Sequence, residues 1–135
     1  MEYCVGQSAS VAKTITDSDI YLFAGITGDM NPMHVNDQHA KASRFGGRIA
    51  HGMLSAGLIS AVLGMQLPGP GSIYLGQELK FLTPVFPGDT VTARATIVDI
   101  DPVKNRAVLE TECINQDGVK VVAGKATMLL PPKTE

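Results

Sequence analysis

The chain of 135 residues is long enough to bury one hydrophobic core and too short for two ordinary domains, so a single domain over residues 1–135 is expected. Its composition, 44% hydrophobic and 18% charged, excludes a largely disordered protein, and a net charge of −2 offers no basic field for nucleic acid. Any anionic ligand must be met by a local cluster of Lys and Arg or by backbone amides.

In chain order, the segment VGQSASVAKTIT alternates weakly and reads as an extended start. Thr16, with Asp19 three residues on, supplies an N-cap and an acidic first turn for a helix through DSDIYLFAGITG. Ile20, Phe23, Ala24 and Thr27 fall near helical spacing, and Gly28 is the natural stop. Pro32 disfavours helical geometry at Asn31, so the Asn-Pro segment reads as an irregular loop; Asn36 or Asp37 then caps a short helix, DQHAKASR. The glycine pair of FGGRIAHG breaks the chain before an apolar helix, GMLSAGLISAVLGMQL. There Met53, Leu54, Gly57, Leu58, Ala61, Val62 and Met65 form one stripe at the 3.6-residue period. Ser55, Ala56, Ile59 and Ser60 opposite are small or apolar too, as in a helix that is wrapped.

Four strands follow: SIYLGQELKFL, DTVTARATIVDI, RAVLETECIN and VKVVAGKATMLL. Short turn-forming links favour antiparallel neighbours, and Val91, Ala93, Ala95 and Ile97 alternate with Thr and Arg as in a sheet with one buried face. The expected class is α+β, an antiparallel sheet wrapped around a central helix. Cys4 and Cys113 lack CxxC spacing and read as reduced packing residues of a cytoplasmic protein. No stretch approaches the length needed to span a bilayer, and the opening residues lack a basic segment followed by an apolar run, so no membrane partner is expected.

Two segments carry candidate chemistry. In TGDMNPMHVND, Asp29 and His34 are a possible acid and base, but five residues along a regular helix would set them roughly 140° apart. An irregular backbone stiffened by Pro32, with Asn31 and Asn36 bonding the loop, would aim both at one water for general acid–base catalysis. The plainer reading is a surface pair among turn residues. A metal site is not indicated, because His34 and His39 miss the four-residue spacing of one helical face. In IAHGMLSAG, Gly52 stands at the start of the apolar helix, where unpaired amides and the helix dipole could stabilise a developing oxyanion. It could equally ease a crowded helix start; His51 beside it is read as structural. GPGSIYLG is a poor dinucleotide fingerprint, and Ser55 and Ser60 lack the His and Asp that would mark a nucleophile.

Together GDMNPMHVND, GGRIAHGMLSAGLIS and GSIYLGQELKFLTPVFPGDTV resemble the MaoC-like dehydratase family, in particular its (R)-specific enoyl-CoA hydratases, over about Ile15 to Thr127. The resemblance implies a hot-dog fold, a homodimer whose two sheets join, and an acyl-CoA tunnel near the interface. It implies Asp29 and His34 as the catalytic pair and the Gly52 amide as oxyanion donor, with Asn31 and Ser60 assisting substrate binding. The implied reaction is syn addition of water to a trans-2-enoyl-CoA to give (R)-3-hydroxyacyl-CoA, with no cofactor. Arg44, Arg48 and Lys80 flank this region in sequence and are candidates for the CoA phosphates. The competing readings are a hot-dog acyl-CoA thioesterase and a catalytically silent acyl-CoA binding module.

Overall fold

A computed structural model describes residues 2–133. Its elements run β1 (Ser8–Thr14), α1 (Asp17–Thr27), α2 (Pro32–Val35), α3 (Asp37–Lys41), α4 (Gly52–Met65), β2 (Ile73–Phe81), β3 (Thr90–Asp101), β4 (Arg106–Ile114) and β5 (Lys120–Leu129). All pairings are antiparallel, and the five strands lie in the order β1-β3-β4-β5-β2. The alternation in β3 buries Val91, Ala93, Ala95 and Ile97 completely, and in β4 it buries Ala107, Leu109, Thr111 and Cys113. Together with Val122, Ala126 and Met128 of β5 they make one inner face, which curls around α4 so that the helix touches all five strands. This is the hot-dog architecture. No helix among the described residues is long and apolar enough to cross a membrane.

Where α1 begins, Thr16 and Asp19 form a reciprocal capping box: the Asp19 amide donates to Thr16 Oγ1 (3.1 Å) and the Thr16 amide donates to Asp19 Oδ2 (2.9 Å). Gly28 closes the helix in the left-handed region (φ 80°), which a β-carbon would disfavour. Lys13 Nζ also donates to Asp19 (2.7 Å), and this bond, with that from the Thr16 amide, holds the Asp19 carboxyl below its ordinary value. Thr16→Ala is expected to cost about 1 kcal/mol of stability in urea unfolding. Because the Asp19 pKa is depressed on folding, its contribution is complete above the unfolded value near 3.9 and is lost as pH falls through the folded value. The urea midpoints of wild type and Asp19→Asn should therefore differ at pH 7 and converge as pH falls through the folded value.

Three expectations are corrected. The buried side of α4 is Ser55, Ala56, Ile59, Val62 and Leu63, so the helix is not covered all round: Val62 of the apolar stripe is fully buried, whereas Met53 and Met65 of that stripe are more than half exposed. Ile59, Val62 and Leu63 reach into the core, Leu54 and Leu58 pack against its margin, and the ends of the stripe stand clear of the sheet. The link between β2 and β3 does not join neighbours: β2 pairs with β5 at one edge and β3 with β1 near the other. That link, residues 82–89, crosses the fold, tied to the segment before α4 by Val85 to Ala50 and to the end of β1 by Gly88 and Asp89 to Ile15. Finally, Cys4 is exposed instead of packed; Cys113 is buried, and desolvation pushes its thiol up to about 12.

Candidate active site

The segment after α1 is irregular only as far as Asn31. Asn31 Oδ1 accepts from the Met33 amide (3.0 Å) and caps the single turn α2, in which Pro32 takes the first helical position, where its missing N–H costs nothing. His34 thus sits on a helical turn while Asp29 precedes the cap. The change of backbone at Asn31, more than a stiff loop, is what brings the two side chains together. Asn36 ends α2 and caps α3, with Oδ1 accepting from the His39 amide (3.0 Å).

Residues 48–51, just before α4, run beside this segment and fasten it. The Ile49 amide donates to Met33 O (3.1 Å), His34 Nδ1 donates to Ile49 O (2.7 Å), and His51 Nε2 donates to Asp29 O (3.0 Å). Arg48 binds the carboxylates of Asp17 (2.7 Å) and Asp37 and reaches the His34 carbonyl (3.4 Å), so it joins the first turns of α1 and α3 to the loop. The Asp37 and Asp17 hydrogen bonds drive its pKa further up.

Within this frame a carboxylate oxygen of Asp29 and one ring nitrogen each of His34 and His51 all lie within 4.8 Å of one another. Since a carbonyl only accepts, His34 carries its proton on Nδ1, and Nε2 is the atom left for chemistry. The rings of His34 and His51 stack with centroids 3.8 Å apart and planes at 27°. Stacked rings run their in-plane lone pairs side by side, which does not suit two ligands converging on one ion.

Next in sequence, the first turn of α4 lacks a side-chain cap, because His51 occupies the N-cap and uses its ring elsewhere. The exposed Gly52 amide has no partner among the described residues, leaving a donor at the positive end of a 14-residue helix. The Phe81 ring lies over Gly52 so closely that an added β-carbon would meet its Cδ1 at 2.4 Å. Phe81 is 54% exposed and free to swing. Gly52→Ala should therefore fold, with a loss of about 1 kcal/mol or less, while blocking approach to the amide and lowering kcat/KM about 100-fold. Thermal melting and steady-state kinetics on one preparation would check both parts.

Phe81 and Met53 stand between two cavities. One, of about 380 Å³, is lined by Arg44, Phe45, His51, Gly52 and Thr83. The other, of about 610 Å³, is lined by Phe23, Ala56, Ser60, Tyr74 and Leu75. Of the residues singled out from sequence, Asp29, His34 and Gly52 belong to one contiguous segment, and Ser60 is exposed in the larger, mostly apolar cavity. Asn31 is engaged as a cap. Arg44 faces the smaller cavity with its guanidinium 4.9 Å from the Phe45 ring. Arg48 is committed to its ion pairs. Lys80 alternates with Leu79 and Phe81 and so stands on the outer sheet face among Glu78, Arg94 and Glu112, away from Gly52. His51, read from sequence as structural, is buried as that reading expects, and its ring also bonds Asp29 O; Phe81 carried no sign in the sequence.

A curled antiparallel sheet folded about one helix, with Asp29 and His34 gathered on His51 just before that helix begins, defines a hot-dog-fold protein. Residues 5–118 match the model of the MaoC like domain, and the chain belongs to the MaoC-like dehydratase family. It is 56% identical to an (R)-specific enoyl-CoA hydratase of Rhodospirillum rubrum, covering 95% of this chain and 88% of that one. It is 45% identical to a 3-hydroxybutyryl-CoA dehydratase of Methylorubrum extorquens, over 97% and 83% of the two chains. The solved (R)-hydratase from A. caviae, described as involved in PHA biosynthesis, superposes with a TM-score of 0.93 at 43% identity, over 96% and 98% of the two chains.

Proposed function

We propose that this single-domain protein, spanning residues 1–135, adds water to trans-2-enoyl-CoA to give (R)-3-hydroxyacyl-CoA and catalyses the reverse dehydration. In the cell it would link fatty acid metabolism to polyhydroxyalkanoate precursors. The observation that carries this reading is the convergence of Asp29 and His34 on His51, the residue that precedes the free Gly52 amide. One water rests between the carboxylate and His34 Nε2. Its oxygen bonds to C3 of the enoyl group as its proton passes to Asp29. Charge developing on the thioester oxygen is met by the Gly52 N–H, and C2 takes a proton from His34 Nε2 on the same face. Nδ1–H stays on Ile49 O, so Nε2 is the atom that relays the proton between Asp29 and C2. Asp29 then returns its proton to His34. The scheme needs no cofactor.

Arg44 is the residue that we assign to the CoA phosphates, at the mouth of the smaller cavity. Arg48 and Lys80 are left out, one neutralised by two carboxylates and the other on the opposite sheet face. The acyl chain is assigned to the larger cavity. In one copy of the chain Asp29 is exposed, and Ile73, Tyr74, Leu75 and Phe81 lie bare along the edge strand β2. A homodimer formed along that edge would cover the apolar strip and exclude water from the site. The proposed setting is the cytoplasm, where the two free cysteines stay reduced.

The test is loss of the enoyl absorbance of crotonyl-CoA and longer enoyl-CoAs, with chiral analysis of the product. Release of free thiol without hydration would replace this reading by a thioesterase, and binding without turnover by a silent module.

A further inference from the structure

We infer that His51 is a positioning residue for the acid of the pair, holding Asp29 through its main chain; the inference rests on the hydratase reading above. Among the described residues, the hydrogen bonds of residues 28–31 otherwise stay within residues 24–34. The Gly28 amide reaches Ala24, Asp29 reaches Thr27, Met30 reaches Gly28, and Asn31 reaches Asp29 Oδ1. The bond from His51 Nε2 to Asp29 O, at 3.0 Å, is the one that ties this turn to the scaffold.

The ring that makes it is itself fixed. His51 is 3% exposed, stacked on His34 at 3.8 Å and packed against the Phe23 ring at 4.8 Å. Its Nδ1 is buried without a partner, so an apolar ring would fill the same space with less desolvation cost. What an apolar ring cannot supply is the Nε2–H donor. His51 also immediately precedes Gly52, so one residue sets the acid relative to the oxyanion amide while its face buttresses the base. It touches the reacting groups only through Asp29 and His34, and its effect belongs to geometry.

Three substitutions separate the donor from the ring. His51→Gln places an amide nitrogen where Nε2 stands, His51→Phe keeps the ring without the donor, and His51→Asn is polar but too short to reach Asp29 O. With crotonyl-CoA, the Phe and Asn variants should lose about 10- to 100-fold in kcat with KM changed by about twofold or less, and Gln should stay within about threefold of wild type. Hydrogen exchange should rise about tenfold at amides 29–34 in the Phe and Asn variants, with the sheet and the Gln variant unchanged. A fall in melting temperature alone, with kcat per folded molecule intact, would reduce His51 to packing and overturn the inference. So would a Gln variant as impaired as Phe, since the imidazole itself would then be required. If wild type does not hydrate enoyl-CoA, the proposed function fails, and unchanged exchange at 29–34 in all three variants separately refutes the anchoring role. Should Phe not fold, Asn carries the same comparison.

Discussion

Asp29→Asn and His34→Ala each lower the hydration rate of crotonyl-CoA by about 10²- to 10⁴-fold, the usual loss when a positioned general acid or base is removed. Asn keeps the size of Asp29 and can still accept from the Asn31 amide, so this variant should retain wild-type stability. His34→Ala also removes the bond to Ile49 O and should lose about 1 kcal/mol in addition, separable by urea unfolding. The two residues act on one water, so the double variant is expected to be little worse than the poorer single variant. Fully additive losses would show that each residue acts alone. Activity retained in both folded single variants would remove the proposed mechanism.

The largest effect on stability is expected at Gly124, in β5. A β-carbon there would lie 1.8 Å from the main-chain oxygen of Glu78 and 2.7 Å from its carbonyl carbon, in the neighbouring edge strand β2. Backbone cannot rotate away as the Phe81 ring can over Gly52. Gly124→Ala must push β2 off β5 or tear the ladder that runs from Ile73↔Leu129 to Phe81↔Val122. The expected cost is about 3 kcal/mol or more, seen as a lower urea midpoint. β2 carries Tyr74, Leu75 and Phe81 into the cavities, so acyl-CoA binding should weaken even where the remaining sheet survives. A wild-type midpoint would mean that the strands are not held at this separation.

Much of this was legible in the chain because the signals were local. The capping box at Thr16 and Asp19, the stop at Gly28 and the alternation of Val91, Ala93, Ala95 and Ile97 each belong to a few consecutive residues. That Asp29 and His34 could be brought together was legible for the same reason. The facing of α4 was not, because an apolar helix has no strong directional moment and the side it buries is chosen by how closely the sheet can approach. Nor was the separation of β2 from β3, since an eight-residue link can cross a curled sheet as readily as it can turn back. Arg44, Arg48 and Lys80 looked alike in sequence. They were told apart by partners far along the chain, by Asp17 and Asp37 for Arg48 and by strand alternation for Lys80.

The strap of residues 48–51 divides the labour of the chain by position. The proposed acid and base and the free amide at Gly52 all come from residues 29–52, where bonds from residues 49–51 hold Asp29, Met33 and His34. The larger cavity, which we assign to the acyl chain, is walled from elsewhere: Phe23 of α1, Ser60 farther along α4, and Tyr74 and Leu75 of β2. Reactivity and substrate length can accordingly drift independently, the first kept by a short contiguous cassette while the second is rewritten one wall at a time. A relative with a different appetite for chain length need change nothing between Asp29 and Gly52.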